Sequence, residues 1–112
     1  MSSGSYDRAS FKGLSFHNAV PRFLAGQDNP RAYLERCLEV IAAKDGVVRA
    51  FVVLNETGAR ASADASAARY KAGRALSAID GMPIGIKDLI ETADMPTQMG
   101  CGAFVGNFPQ RD

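Results

Sequence analysis

The stretch Gly81-Met82-Pro83-Ile84-Gly85-Ile86-Lys87-Asp88-Leu89-Ile90 decides how the rest of the chain is read. Gly81 and Pro83 mark a turn, and the β-branched residues that follow predict a strand over Ile84 to Leu89. Working backward, residues 57 to 73 are rich in Ala with Arg60, Asp64, Arg69 and Lys71 spread through them. That composition suits a surface helix that packs through small side chains. Before it, Ala50-Phe-Val-Val-Leu54 is short and rich in strand formers. Strand, helix and strand predict a parallel βαβ unit. The expected class is therefore α/β: N-terminal helices plus a βαβ unit of a mixed sheet.

Further upstream, Gln27-Asp28-Asn29-Pro30 is a helix start, because Asn29 can cap free amides and Pro30 lacks only a donor that the first turn does not use. Leu34, Cys37, Leu38 and Ile41 then fall on one apolar face, and Lys44-Asp45-Gly46 is the expected stop. Val20, Phe23 and Leu24 follow helical spacing after Phe16, with Pro21 restricting that segment to a short or interrupted helix. Residues 1–15 are expected to be a flexible N-terminal segment and 16–112 the N-terminal part of one domain. Residues 81–112 hold five of the eleven Gly and three of the five Pro, so turns and loops of the kind that build sites dominate there.

Composition excludes several classes. Thirteen Lys and Arg against twelve Asp and Glu leave no basic excess to grip a phosphate backbone, so no nucleic-acid binding is expected. The densest apolar run, Val47 to Leu54, is interrupted by Arg49 and falls far short of the roughly 20 residues of a membrane span. No signal-peptide pattern opens the chain, which makes the expected compartment the cytoplasm. Cys37 and Cys101 form no CxxC pair, and His17 has no second imidazole for a metal site. With 112 residues and 46% hydrophobic content, one globular unit is expected. Yet two strands, and a third near Phe104, would leave a parallel sheet unfinished. The expectation is the N-terminal portion of a larger α/β protein, with exposed sheet edges offering a route to self-association.

Lys87 is the residue to explain, since strands seldom place an ammonium among Ile84, Ile86, Leu89 and Ile90. Strand alternation would put Gly85, Lys87 and Leu89 on one face and Ile84, Ile86 and Asp88 on the other. Two readings fit. At the carboxyl end of a parallel strand, Lys87 would face the crevice where α/β proteins place ligands, and desolvation there would favour the neutral amine of a general base. Alternatively, it is an edge lysine whose stem covers apolar surface while its head reaches solvent. Phosphate cradling fails on spacing, because residues 81–88 do not match GxxxxGK[ST] and Gly100-Cys-Gly102-Ala-Phe-Val-Gly106 does not match GxGxxG.

The segment from Gly81 through Lys87-Asp88 to Pro96-Thr97 and Gly100 resembles the amidase signature enzymes, whose pattern is G-x-P-x-x-x-K-D followed by a P-T-x-x-G turn. The likeness covers about residues 16 to 112. It implies a hydrolase of carbon–nitrogen bonds acting on a small-molecule amide, with no metal or organic cofactor. In such enzymes the lysine belongs to a Ser-cisSer-Lys triad, and Lys87 takes that role by resemblance: it would deprotonate the bridging serine, which activates the nucleophilic serine. The family's two serines lie in a Gly/Ser-rich segment that has no match here, so the isolated chain is expected to be inactive, an incomplete part of the larger amidase signature fold. A non-catalytic or regulatory fragment that associates through an open sheet edge is the alternative.

Other candidates read as structural. Ser62 and Ser66 sit in the Ala-rich helix and Ser2, Ser3 and Ser5 in the polar start, all expected to be surface or capping serines. Cys101 with His17 could form a thiol and base, but nothing orients them. Cys101 is expected to be a buried small thiol, His17 a satisfied or exposed imidazole, and Cys37 a packing residue. Asp94 stands where the family often has Gly, and Cys101 where Ser is common; Asp94 reads as a turn former.

Overall fold

The computed structural model describes Ala9 and residues 15–112. The expected flexible segment at residues 1–15 lies, apart from Ala9 and Ser15, outside the described residues. Three helices follow: α1 over Phe16–Leu24, α2 over Pro30–Val48 and α3 over Glu56–Lys71. A 3₁₀ turn over Gly102–Phe104 comes later.

Local chemistry explains the helix limits. α1 buries Ala19, Val20 and Phe23 on one face and runs through Pro21. It ends where Gly26 takes a left-handed φ of 71° and the Gln27 amide donates to the Arg22 carbonyl. At the start of α2 the Asn29 side chain accepts from the Ala32 amide at 2.9 Å, with Pro30 in the first turn, as the sequence implies. The helix does not stop at Gly46. It continues to Val48 and closes at Arg49, which adopts φ 53° while the Asp45 carboxylate accepts from the Ala50 amide at 2.7 Å. Asn55 caps α3 through the Gly58 amide.

α2 and α3 pack as an antiparallel pair, whose register is visible in its ion pairs. Glu35 meets Arg60 at 2.7 Å, and one turn away Arg31 meets Asp64 at 2.7 Å. α1 lies across one end of this pair. Phe23 meets the Tyr33 ring edge-on at 6.0 Å and the Tyr70 ring at 5.4 Å, in a cluster with Ala19 and Val20 that Cys37 and Met82 flank.

The α/β expectation is overturned. Among the described residues there is no strand, and the one β-bridge is the isolated Thr92–Met95 pair inside a turn. Residues 50–55 and 82–87 are irregular, and no backbone hydrogen bond joins one to the other. β-Propensity marks a segment that fits a pleated surface, but a strand exists only when a neighbour completes its ladder. Here both segments lie instead along the α2–α3 pair, and the third expected strand is the 3₁₀ turn at Phe104. Without a sheet, the expected self-association through sheet edges loses its basis.

The result is a plate of 48 × 47 × 20 Å with a radius of gyration of 16.8 Å, against about 13 Å for a compact domain of this length. Ile84, Leu89, Ile90, Val52 and Leu76 are all exposed. Among the described residues no helix is long and apolar enough to cross a membrane.

Candidate functional site

The lysine-bearing segment leaves the helices at a buried corner. Asp80 is only 8% exposed, and its carboxylate takes two bonds from Arg69, at 2.9 Å from Nε and 2.6 Å from Nη2. The Ser66 hydroxyl donates to Asp80 Oδ1 at 2.8 Å, the Leu76 amide to Oδ2 at 3.0 Å, and the Tyr70 hydroxyl to the Asp80 carbonyl at 2.8 Å. The Arg69 guanidinium, helped by the Leu76 amide and Ser66, holds the Asp80 carboxyl far below the ordinary carboxylate range, against the opposing pull of burial. Gly81 follows at φ 85°, so close to the helices that a Cβ would come within 2.6 Å of the Pro30 ring and of Ser66 Oγ.

Beyond the corner the chain passes an open cleft of about 580 Å³ between the helix pair and residues 81–86, with Leu38, Ile41, Phe51, Ala63 and Ile86 among its walls. A smaller cleft of about 280 Å³ lies next to it, and Lys87 lines it with Phe51, Val53, Ile90 and Pro96. Asp88 lines it too. The alternation expected of a strand, which separated Lys87 from Asp88, therefore fails with the strand itself. Lys87 is exposed, and its ammonium has no hydrogen bond or ion pair among the described residues. The apolar enclosure that a crevice at a strand end would supply is missing.

Asp88 joins the two parts of the motif. Its Oδ1 accepts from the Gln98 amide at 2.8 Å and its carbonyl from the Met99 amide at 3.0 Å. The turn between is held by Thr97, which is 1% exposed: its amide donates to the Asn107 carbonyl at 2.8 Å, its carbonyl accepts from Asn107 Nδ2 at 3.1 Å, and its hydroxyl donates to the Ile90 carbonyl at 3.3 Å. Met99 and Gly100 both take positive φ, at 57° and 65°, which turns the chain toward Cys101. Lys87-Asp88 and Pro96-Thr97, separate motifs in the sequence, thus form one hydrogen-bonded unit. Asn107 belongs to that unit although no motif marks it.

The remaining candidates sort as follows. Ser66 is not a surface serine but a buried donor to Asp80; Ser62 is exposed, as expected. Ser2, Ser3 and Ser5 lie outside the described residues. Cys101 is exposed where a buried thiol was expected, and His17, also exposed, stacks on Phe16 with ring centres 4.1 Å apart. No hydrogen bond joins the two. Cys37 packs on the core, and burial pushes its thiol up from the ordinary value. Asp94 sits in the tight turn closed by the Thr92–Met95 bridge and accepts from Asn55 Nδ2 at 2.8 Å, which ties that turn to the cap of α3.

Comparison with known proteins identifies the family of the chain. Residues 32–112 match the family model described as Amidase. Among curated relatives, a glutamyl-tRNA(Gln) amidotransferase subunit from Chloroflexus aggregans is 41% identical over 96 residues, which is 86% of this chain and 20% of that protein. The protein of the same name from Myxococcus xanthus is 40% identical over 99 residues, 88% of this chain and 20% of its own length. The human mitochondrial one is 30% identical over 97 residues, 87% of this chain and 18% of its own length. The chain thus spans about a fifth of the length of these relatives. No solved structure matches it. With the corner, Lys87-Asp88 and the Thr97 turn all inside the matched residues, the chain belongs to the amidase family.

Proposed function

We propose that this chain supplies the lysine-bearing part of an amidase that cleaves carbon–nitrogen bonds, with Lys87 as the base of a Ser-cisSer-Lys triad. The observation that carries this reading is the fixed unit of Lys87-Asp88 and Pro96-Thr97, in which the neighbouring backbone is pinned while the ammonium is left without a partner. To take a proton from a hydroxyl Lys87 must be the neutral amine, and in this reading the rest of the longer protein closes over the anchored segment and supplies the desolvation that favours that form. In the proposed chemistry Lys87 accepts the proton of the bridging serine, that serine deprotonates the nucleophile, and the nucleophile attacks the amide carbon; the proton returns through the bridging serine to the nitrogen as the carbon–nitrogen bond breaks, and water then hydrolyses the acyl ester. Ser66 is committed to Asp80 and does not serve as either serine. The 112 residues alone therefore lack a nucleophile and are inactive in this reading.

The relatives' names favour a narrower form, in which the amide-cleaving unit works as one component of an amidotransferase and meets partner proteins there. The experiment is a chimera in which this chain replaces the matching fifth of the Chloroflexus aggregans protein. Ammonia release from glutamine and from simple amides is then measured with and without Lys87→Ala. A loss of about 10²–10⁴-fold supports the base role. Unchanged turnover removes it.

A further inference from the structure

We infer that Asp80 is a positioning residue for Lys87: its carboxylate, held by Arg69, Ser66 and the Leu76 amide, docks the Gly81 corner on the helices and thereby sets the course of residues 82–87. The inference rests, for its functional meaning, on the proposed role of Lys87.

The segment has little else to place it. From Ile84 to Lys87 no backbone amide donates to a described residue, and Pro83 has none to give. Ile84 and Ile86 are exposed, and only Met82, directly after the corner, packs on the core. The course of residues 82–87 is thus determined at its ends: upstream by Asp80 and Gly81, downstream by Asp88 and its bond from Gln98. The upstream anchor is built on one face of α3. Ser66, Arg69 and Tyr70 stand at the spacing that brings side chains together on a helix, and all three donate to Asp80. Their four bonds, with that from Leu76, occupy the carboxylate and hold the peptide that follows it. A chain reversal on a surface needs no buried charge. Here the charge is desolvated, paired and placed one residue before a glycine so close to Pro30 and Ser66 that a Cβ would not fit.

Backbone N–H residual dipolar couplings on the isotope-labelled 112-residue chain test this. In the native chain the couplings of Met82 and residues 84–87 should fit the same alignment as α2 and α3. In Asp80→Asn they should collapse toward zero while those of the two helices persist. Because Asp80→Asn also weakens the fold, Arg69→Gln and Arg69→Lys are measured beside it: the glutamine should reproduce the collapse, and the lysine, which keeps a cation, should restore part of the order. Couplings that stay unchanged overturn the inference. So does a collapse that takes α2 and α3 with it, since Asp80 would then hold the fold and not the segment. Neither result depends on turnover, so a chimera indifferent to Lys87→Ala would remove the base role while leaving the geometry of Asp80 decided separately.

Discussion

The Ser66 hydroxyl, 1% exposed on α3, donates at 2.8 Å to the Asp80 carboxylate fourteen positions later in the chain. A hydrogen bond to a buried charged acceptor contributes about 1.5–3 kcal/mol, against about 1 kcal/mol for a neutral pair. Ser66→Ala should therefore destabilise the chain by about 2 kcal/mol in urea unfolding, with the helix signal of the native state unchanged. Ser62→Ala, at an exposed position on the same helix, should stay within about 0.5 kcal/mol of the native value. Equal effects of the two would mean that the corner contributes nothing special to stability.

Gly81 and Gly73 separate backbone strain from close packing. Both take positive φ, 85° and 67°, but a Cβ on Gly73 meets nothing within 4 Å, whereas one on Gly81 meets Pro30 and Ser66 at 2.6 Å. Gly73→Ala should cost about 1 kcal/mol, the penalty of the left-handed conformation alone. Gly81→Ala adds displacement of the Pro30 ring and the Ser66 hydroxyl, for about 3 kcal/mol in all. Chemical denaturation of both variants decides this, and similar costs would show that the corner does not press on the helices.

Acid should loosen the fold. Arg60 and Arg31 pull the Glu35 carboxyl from 4.5 down to about 2, Arg69 lowers that of Asp80, and Arg36 lowers that of Asp28. In each case the unfolded chain binds a proton more readily than the folded one. The stabilisation is therefore complete above the unfolded values and is lost as the pH falls through the folded ones. Thermal melting followed by circular dichroism should show Tm falling from about pH 4.5 to about pH 2. Glu35 is partly accessible to solvent, so high salt should shrink its share, while the buried Asp80 should keep most of its own. Glu35→Gln should flatten the curve, and a Tm independent of pH across this range would contradict the ion-pair geometry.

What is legible in the sequence is what acts within a few residues. Asn29 and Asn55 cap amides three positions ahead, and the α2 start at Pro30 is readable for that reason. The end of α2 is not readable, because Gly46 offers a stop and Asp45 instead caps the amide of Ala50. The strands expected at 50–54 and 84–89 fail for a deeper reason: side-chain composition records compatibility with a sheet, whereas the sheet depends on partners that these residues do not have. Lys87-Asp88 and Pro96-Thr97 are visible as motifs, but their connection through Asp88, Gln98 and Asn107 needs the folded chain. The Asp80 corner is invisible, since nothing local distinguishes Asp80 from an ordinary turn residue before glycine. Asp94, where the family pattern often has Gly, acquires a use only once Asn55 is seen beside it.

Lys87 offers the sharpest contrast between stability and chemistry. Its side chain is exposed and without a partner among the described residues, so Lys87→Ala should leave urea unfolding of the chain within about 0.5 kcal/mol of native. The neighbouring Asp88→Ala should behave oppositely: it strips the Gln98 amide of its acceptor at 2.8 Å and should cost about 1–2 kcal/mol. In the chimera with the longer relative the order reverses for Lys87, where the same substitution should cost about 10²–10⁴-fold in amide turnover. The purified 112-residue chain should release no ammonia from any amide. Turnover by the chain alone that vanishes in Lys87→Ala would mean that a nucleophile operates within these residues, and the roles of Ser66 and Asp80 would have to be redrawn.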